Sequence, residues 1–240
     1  MELPDEDRPL PHVSTPSPAD GHPASDGPTE GRSNHAHTAP EGTAIARLAA
    51  ITQLLLLACM GACIALIGVD MSGIAASTDF IDGDDAALAR FEAYVQLSLI
   101  VSALSALPFI AVAVIWAIWQ YRVAKQVSGQ IRRSPGWHAG SWFIPVINLW
   151  YPYQNISDLR RAAGSRRPSW QIVWWLLWIA SDFVALLSAI IYGLADYAET
   201  VRDAIWVGIA GNVLLLAAAP PAMLIVRRIT KGVLHRPTSS

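Results

Sequence analysis

The hydrophobic positions of this chain fall into four long runs separated by polar links. Residues 46–69, 94–119, 171–195 and 204–226 are each almost continuously apolar. At 1.5 Å per residue a helix of the shortest run covers about 34 Å. A bilayer hydrocarbon core is about 30 Å thick, so every run is long enough to cross it. Backbone polar groups in lipid must be satisfied internally, which predicts four transmembrane helices. A fifth apolar stretch, about 140–151, is too short to span. It sits inside RRSPGWHAGSWFIPVINLWYPYQNISDLRR, residues 132–161. Trp142, Val146, Leu149, Tyr153 and Ile156 recur there at helical spacing, which would give one continuously apolar face. Pro145 and Pro152 interrupt such a helix, so two short pieces are expected. The expected fold class is an all-α membrane protein. Its four transmembrane helices carry a cytoplasmic interfacial or re-entrant aromatic segment, about 135–161, between the second and third.

The first 44 residues differ in kind. Pro, Gly, Ser, Thr, Asp and His dominate, and Leu3, Leu10 and Val13 are the only branched aliphatic residues. Such a stretch cannot bury enough apolar surface to offset its ordering entropy. Residues 1–44 are expected to be a disordered cytoplasmic tail, 45–230 the transmembrane domain, and 231–240 a short cytoplasmic tail. His12, His22, His35 and His37 suggest a metal only weakly, since no fixed scaffold holds them together.

Charge sets the expected orientation. The link between runs one and two carries Asp70, Asp79, Asp82, Asp84, Asp85 and Glu92 against Arg90 alone. The link between runs two and three carries Arg122, Lys125, Arg132, Arg133, Arg160, Arg161, Arg166 and Arg167 against Asp158 alone. Of 17 basic residues, all but Arg90 and Arg202 lie on the side of the long middle link and the termini. The positive-inside rule then places both termini in the cytoplasm. Only two of the 17 basic residues are Lys, and alanine is abundant. That bias is typical of high-GC bacterial genes, so a bacterial plasma membrane is the expected location.

Composition narrows the function classes. Hydrophobic residues make up 53% of the chain and charged residues 15%. Soluble domains carry about 25% charge, which argues against a soluble enzyme. A net charge of −2 argues against a nucleic-acid partner. No phosphate loop, zinc-protease or nucleophile-elbow motif occurs, so neither catalysis nor a cofactor or metal is expected. His138 beside Trp137 reads as a structural interfacial residue or, less simply, a catalytic one.

The tryptophans carry the strongest signal. Nine of the ten, all but Trp206, fall at the cytoplasmic half of the pattern. Aromatic rings favour the headgroup layer and arginine attracts anionic lipid. Two readings stay open: simple anchoring, or a surface that binds lipid, a protein partner or a second copy. The candidate binding residues are Trp137, Trp142, Pro145, Asn148, Trp150, Tyr153, Arg160 and Arg161.

The order of these residues resembles a known family. Ser134-Pro135-Gly136-Trp137, then Trp142-Phe143-Ile144-Pro145-Val146-Ile147-Asn148-Leu149, then Pro152-Tyr153-Gln154 and Leu159-Arg160-Arg161-Ala162, is similar to the signature of the domain of unknown function 4328 family. Those are multi-pass membrane proteins found mainly in actinobacteria. The resemblance covers about residues 90–230 and implies architecture and source, with no catalytic residues to carry over.

Inside the spans, Asp182 stands out. A carboxylate near the bilayer centre costs about 2.5–3.5 kcal/mol on insertion scales, so it should face the bundle and find a partner. Asn212 and Gln53 lie at plausible depths. The residues read either as a proton or cation relay or as a structural hydrogen bond between helices. Cys59 and Cys63, one turn apart, read as small packing residues or as a thiol pair. The function expected is a non-enzymatic membrane module at the inner leaflet; the alternative is a small transporter or channel using Asp182.

Overall fold

The computed structural model describes residues 33–165, 168 and 170–235, and the side chains from residue 41 onward within that set. Six α-helices occur in it: α1 (Ser33–Ile81), α2 (Ala87–Gln126), α3 (Pro135–Gly140), α4 (Tyr151–Ala162), α5 (Trp170–Gly193) and α6 (Ala198–Leu234). Three short 3-10 turns join them at Ser128–Gln130, Ser141–Phe143 and Ile147–Leu149. No strand occurs among the described residues. Four helices, α1, α2, α5 and α6, are long and apolar enough to cross a membrane.

Each expected run lies on one of these helices except that Leu194 and Ala195 fall past the end of α5, and the other three helices outrun their apolar stretch. α1 begins at Ser33, inside the stretch expected to be a tail, and ends at Ile81. Helix propagation is cooperative once a turn exists, so polar residues flanking an apolar run are readily carried along. The expected C-terminal tail likewise starts inside α6, which continues to Leu234. Residues 1–32 and 236–240 lie outside the described residues, as do the side chains of all four head histidines.

The turn that joins α1 to α2 is stapled by charge. Arg90 Nη2 lies 2.9 Å from Asp79 and 2.6 Å from Asp84. Gly83 supplies the left-handed turn at φ 87°. These pairs are exposed, so solvent screens them and they add little to stability.

Packing gives the helices the order α2, α1, α6, α5. α1 packs extensively on both α2 and α6, and α5 packs on α6. α2 and α5, at the two ends of this row, meet through large aromatic side chains, with the Trp116 and Trp174 rings 6.2 Å apart. The main core lies at the end of the bundle that carries α3 and α4, where Trp116, Trp119 and Val123 of α2 meet Ile156 and Leu159 of α4, Trp174 and Trp175 of α5, and Ile225, Val226 and Ile229 of α6. A smaller core at the opposite end gathers Ile74, Tyr94, Ile205 and Ile209.

The aromatic segment is broken as its prolines require, though not where both were expected to act. The chain leaves helix at Ile144–Val146, around Pro145. Pro152 sits in the first turn of α4, where a missing N–H costs nothing. The continuous face through Trp142, Val146, Leu149, Tyr153 and Ile156 therefore does not form. Trp142 packs against the core and Ile156 is fully buried, whereas Val146 and Leu149 point outward.

Candidate functional site

The segment from Arg132 to Ala163 packs between the end of α2 and the start of α5. Trp142 is its wedge. Its ring lies 6.1 Å from Trp116 on α2, and 6.3 and 5.4 Å from Trp175 and Trp178 on α5. Edge-on geometries of this kind add about 0.5–1.5 kcal/mol per pair beyond burial. The indole N–H donates to Gln120 Oε1 at 3.2 Å. Trp175 in turn stacks on Trp178 at 5.2 Å and meets Tyr153 of α4 at 6.2 Å.

A buried polar layer holds the wedge from below. Asn155, fully buried, donates from Nδ2 to the Trp137 carbonyl at 3.1 Å and to Ser141 Oγ at 3.0 Å. Its Oδ1 accepts from Arg133 at 3.3 Å, and the Arg133 guanidinium sits 4.0 Å over the Tyr151 ring. Buried Asp158 draws Arg132 to 3.1 Å and Arg161 to 3.5 Å. Gln171, at the start of α5, donates to Ser157 Oγ at 2.9 Å. His138 is enclosed among these groups, and neither ring nitrogen has a hydrogen-bond partner. Burial pushes its pKa down to about 4, with Asp158 opposing the shift. It is a neutral structural imidazole at physiological pH.

The expected lipid-facing residues thus divide. Phe143 and Val146 are each 65% exposed, and Trp137, Ile144, Leu149 and Trp150 are also exposed. Pro145 is exposed with them, at the bend between the two 3-10 turns. Arg161 is open to solvent apart from its Asp158 contact. Arg160 departs from the expectation of an anionic-lipid contact: it is 5% exposed and donates to the Ser165 carbonyl at 3.3 Å. Burial and the neighbouring Arg161 lower its pKa. It faces inward because α4 buries Asn155, Ile156 and Leu159 on the same side, which its sequence neighbours alone do not reveal.

Above the wedge lies an apolar chamber. Two adjoining cavities of about 120 and 270 Å³ share Leu56, Phe109, Val112, Trp174, Trp178 and Ala222. Cys59 and Cys63 line the first, as free buried thiols. Asn148 lines the second, and its Oδ1 is buried without a hydrogen-bond partner. Among the described residues no group of three or more His, Cys, Asp or Glu could hold a metal ion.

The intramembrane polar candidates separate as well. Asp182 and Asn212 line one cleft of about 190 Å³ with Ser181, Ser188, Gly208 and Gly211. Gln53 is elsewhere, accepting from Arg227 Nε at 2.6 Å on the α1–α6 seam. Sequence reading missed Asp70. In the sequence it reads as part of the acidic link, yet it lies within α1 and lines one cavity with Tyr94 of α2. The available signal was helical periodicity: Ile67, Asp70 and Ile74 continue one face beyond the apolar run.

Four spanning helices with this packing define a multi-pass α-helical membrane protein. A family model described as Domain of unknown function (DUF4328) matches residues 81–231, more than half the chain, and the protein belongs to that family. The chain matches no curated protein and no solved structure.

Proposed function

We propose that the protein is a non-enzymatic membrane module that holds a lipid at the cytoplasmic half of the bilayer. The observation carrying this reading is the chamber between α2 and α5, lined by apolar side chains around the single Asn148 amide. Small-ligand sites have this make-up, an apolar wall with few convergent polar groups. Hydrocarbon would occupy the chamber, and a hydroxyl or amide donor of the lipid would reach Asn148 Oδ1. The outward row Phe143, Ile144, Val146, Leu149 and Trp150 suits a segment dipping into the inner leaflet. Exposed Arg132 and Arg161 beneath it favour an anionic headgroup.

The test is native mass spectrometry of the protein carried from its own membrane in detergent-free nanodiscs. The wild type should retain one lipid per chain. Ala113→Trp, which fills the chamber, should release it. A bare wild type, or equal retention in both, overturns the proposal.

The orientation proposed is N-in and C-in across a bacterial plasma membrane. In a background lacking Cys59 and Cys63, a cysteine replacing Asp85 should react with an impermeant thiol reagent on intact cells. One replacing Ser128 should react only after lysis. The reverse pattern inverts the topology.

A second reading, a small transporter or channel using Asp182, is favoured by one observation. Asp182 and Asn212 share a cleft on the α5–α6 seam.

A further inference from the structure

Outside the aromatic layer, one other place gathers chemistry from several helices. A cavity of about 350 Å³ in the outer half is lined by Asp70 of α1, Tyr94 of α2, Tyr192 of α5, and Ala204, Ile205 and Gly208 of α6. Tyr94 is almost wholly buried, and it lines the cavity together with Asp70. Its ring lies directly on the α1 backbone: a Cβ at Gly73 would come within 2.6 Å of it. Glycine at 73 therefore fixes the ring one turn beyond Asp70. Ser188 is turned aside, donating to the Ala204 carbonyl at 2.7 Å, where Gly208 leaves it room. The cavity runs on into the Asp182–Asn212 cleft, since Ala185, Ser188 and Gly208 line both.

We infer that this cavity is a binding site for a lipophilic organic cation, a quaternary ammonium or phosphonium ion, held by the Asp70 carboxylate between the Tyr94 and Tyr192 rings. Three observations select that class. The nearest polar side chains are a carboxylate and neutral hydroxyls, so the site favours positive charge. Its volume exceeds that of a bare metal ion, and the carboxylate lacks the further acidic or imidazole ligands that a divalent ion needs. Aromatic faces stabilise diffuse cations, which also shed water more cheaply than small ones. The site goes beyond the lipid reading and uses none of the same side chains.

The test is equilibrium binding of radiolabelled tetraphenylphosphonium to the full chain in nanodiscs. Saturable binding of one ion per chain is expected. Asp70→Asn should weaken it by roughly tenfold or more, about what one lost charge contact carries. Tyr192→Leu, at a half-exposed position that spares the core, should also weaken it and serves if Asp70→Asn fails to fold. Ala113→Trp should leave binding unchanged, which separates this site from the lipid chamber. No saturable binding by the wild type overturns the inference. So does binding that survives both Asp70→Asn and Tyr192→Leu, or that Ala113→Trp abolishes.

Discussion

Trp142→Ala should destabilise the half of the protein that carries α3 and α4 by about 3 kcal/mol, the lower part of the range for deleting a large aromatic side chain. Trp142 is only partly buried, so the transfer loss is less than for a sealed core residue. The cavity left behind is nevertheless large, because rings from both α2 and α5 converge on this one side chain. Contacts with Trp116, Trp175 and Trp178 go together. Gln120 also loses its indole donor. Trp142→Phe keeps a ring in the wedge and should cost nearer about 1 kcal/mol, the scale of one hydrogen bond. Thermal unfolding in detergent, followed by near-ultraviolet circular dichroism, measures both. An unchanged midpoint for Trp142→Ala would show that the wedge does not join the two helices.

Asn155→Leu should cost about as much by a different route. Leucine matches the volume, but the Trp137 carbonyl, Ser141 Oγ and the Arg133 guanidinium each lose their shared partner. Polar groups left unpaired inside cost about 1–3 kcal/mol each, and Arg133 can recover part of that by turning to water. A net loss of about 3 kcal/mol would fall on the α3–α4 contact, with the spanning helices left in place. The readout is therefore local. Tryptic cleavage at Arg132 and Arg133 should accelerate by roughly 100-fold, the ratio that 3 kcal/mol of easier opening gives. Equal cleavage rates in variant and wild type would place the hinge of this segment elsewhere.

The spans were legible because a run of more than 20 apolar residues has few alternatives in any chain. Their ends were not. Whether α1 stops near Val69 or runs on to Ile81 depends on Tyr94 lying against Gly73 and on Arg90 reaching Asp79, both contacts between helices. The same limit hid Asp70, which looked like part of an acidic link. In the aromatic segment, Trp142 and Tyr153 were identified as candidates, and both pack in the core contacts of that layer. Arg160 was misjudged because an arginine pair reads as one surface feature, while a helix turns its members about 100° apart. Arg161 faces out and Arg160 faces in. Asn155 and Asp158 gave no sequence signal, since single polar residues on a short helix carry no preference for inside or outside until a neighbour supplies partners. Asp182 and Asn212 line one cleft on the α5–α6 seam, whereas Gln53 meets Arg227, a partner that sequence spacing does not reveal.

The row order α2, α1, α6, α5 has a consequence for biosynthesis. Each end of the row is a helical hairpin closed by a short turn, so either pair can enter the bilayer as it leaves the ribosome. The 132–163 segment is synthesised between them, but its partners include Trp174, Trp175, Ile225 and Ile229, all made later. Trp142 can complete its ring contacts once Trp175 and Trp178 of α5 are made, whereas Ile156 and Leu159 gain Ile225 and Ile229 only when α6 is in place.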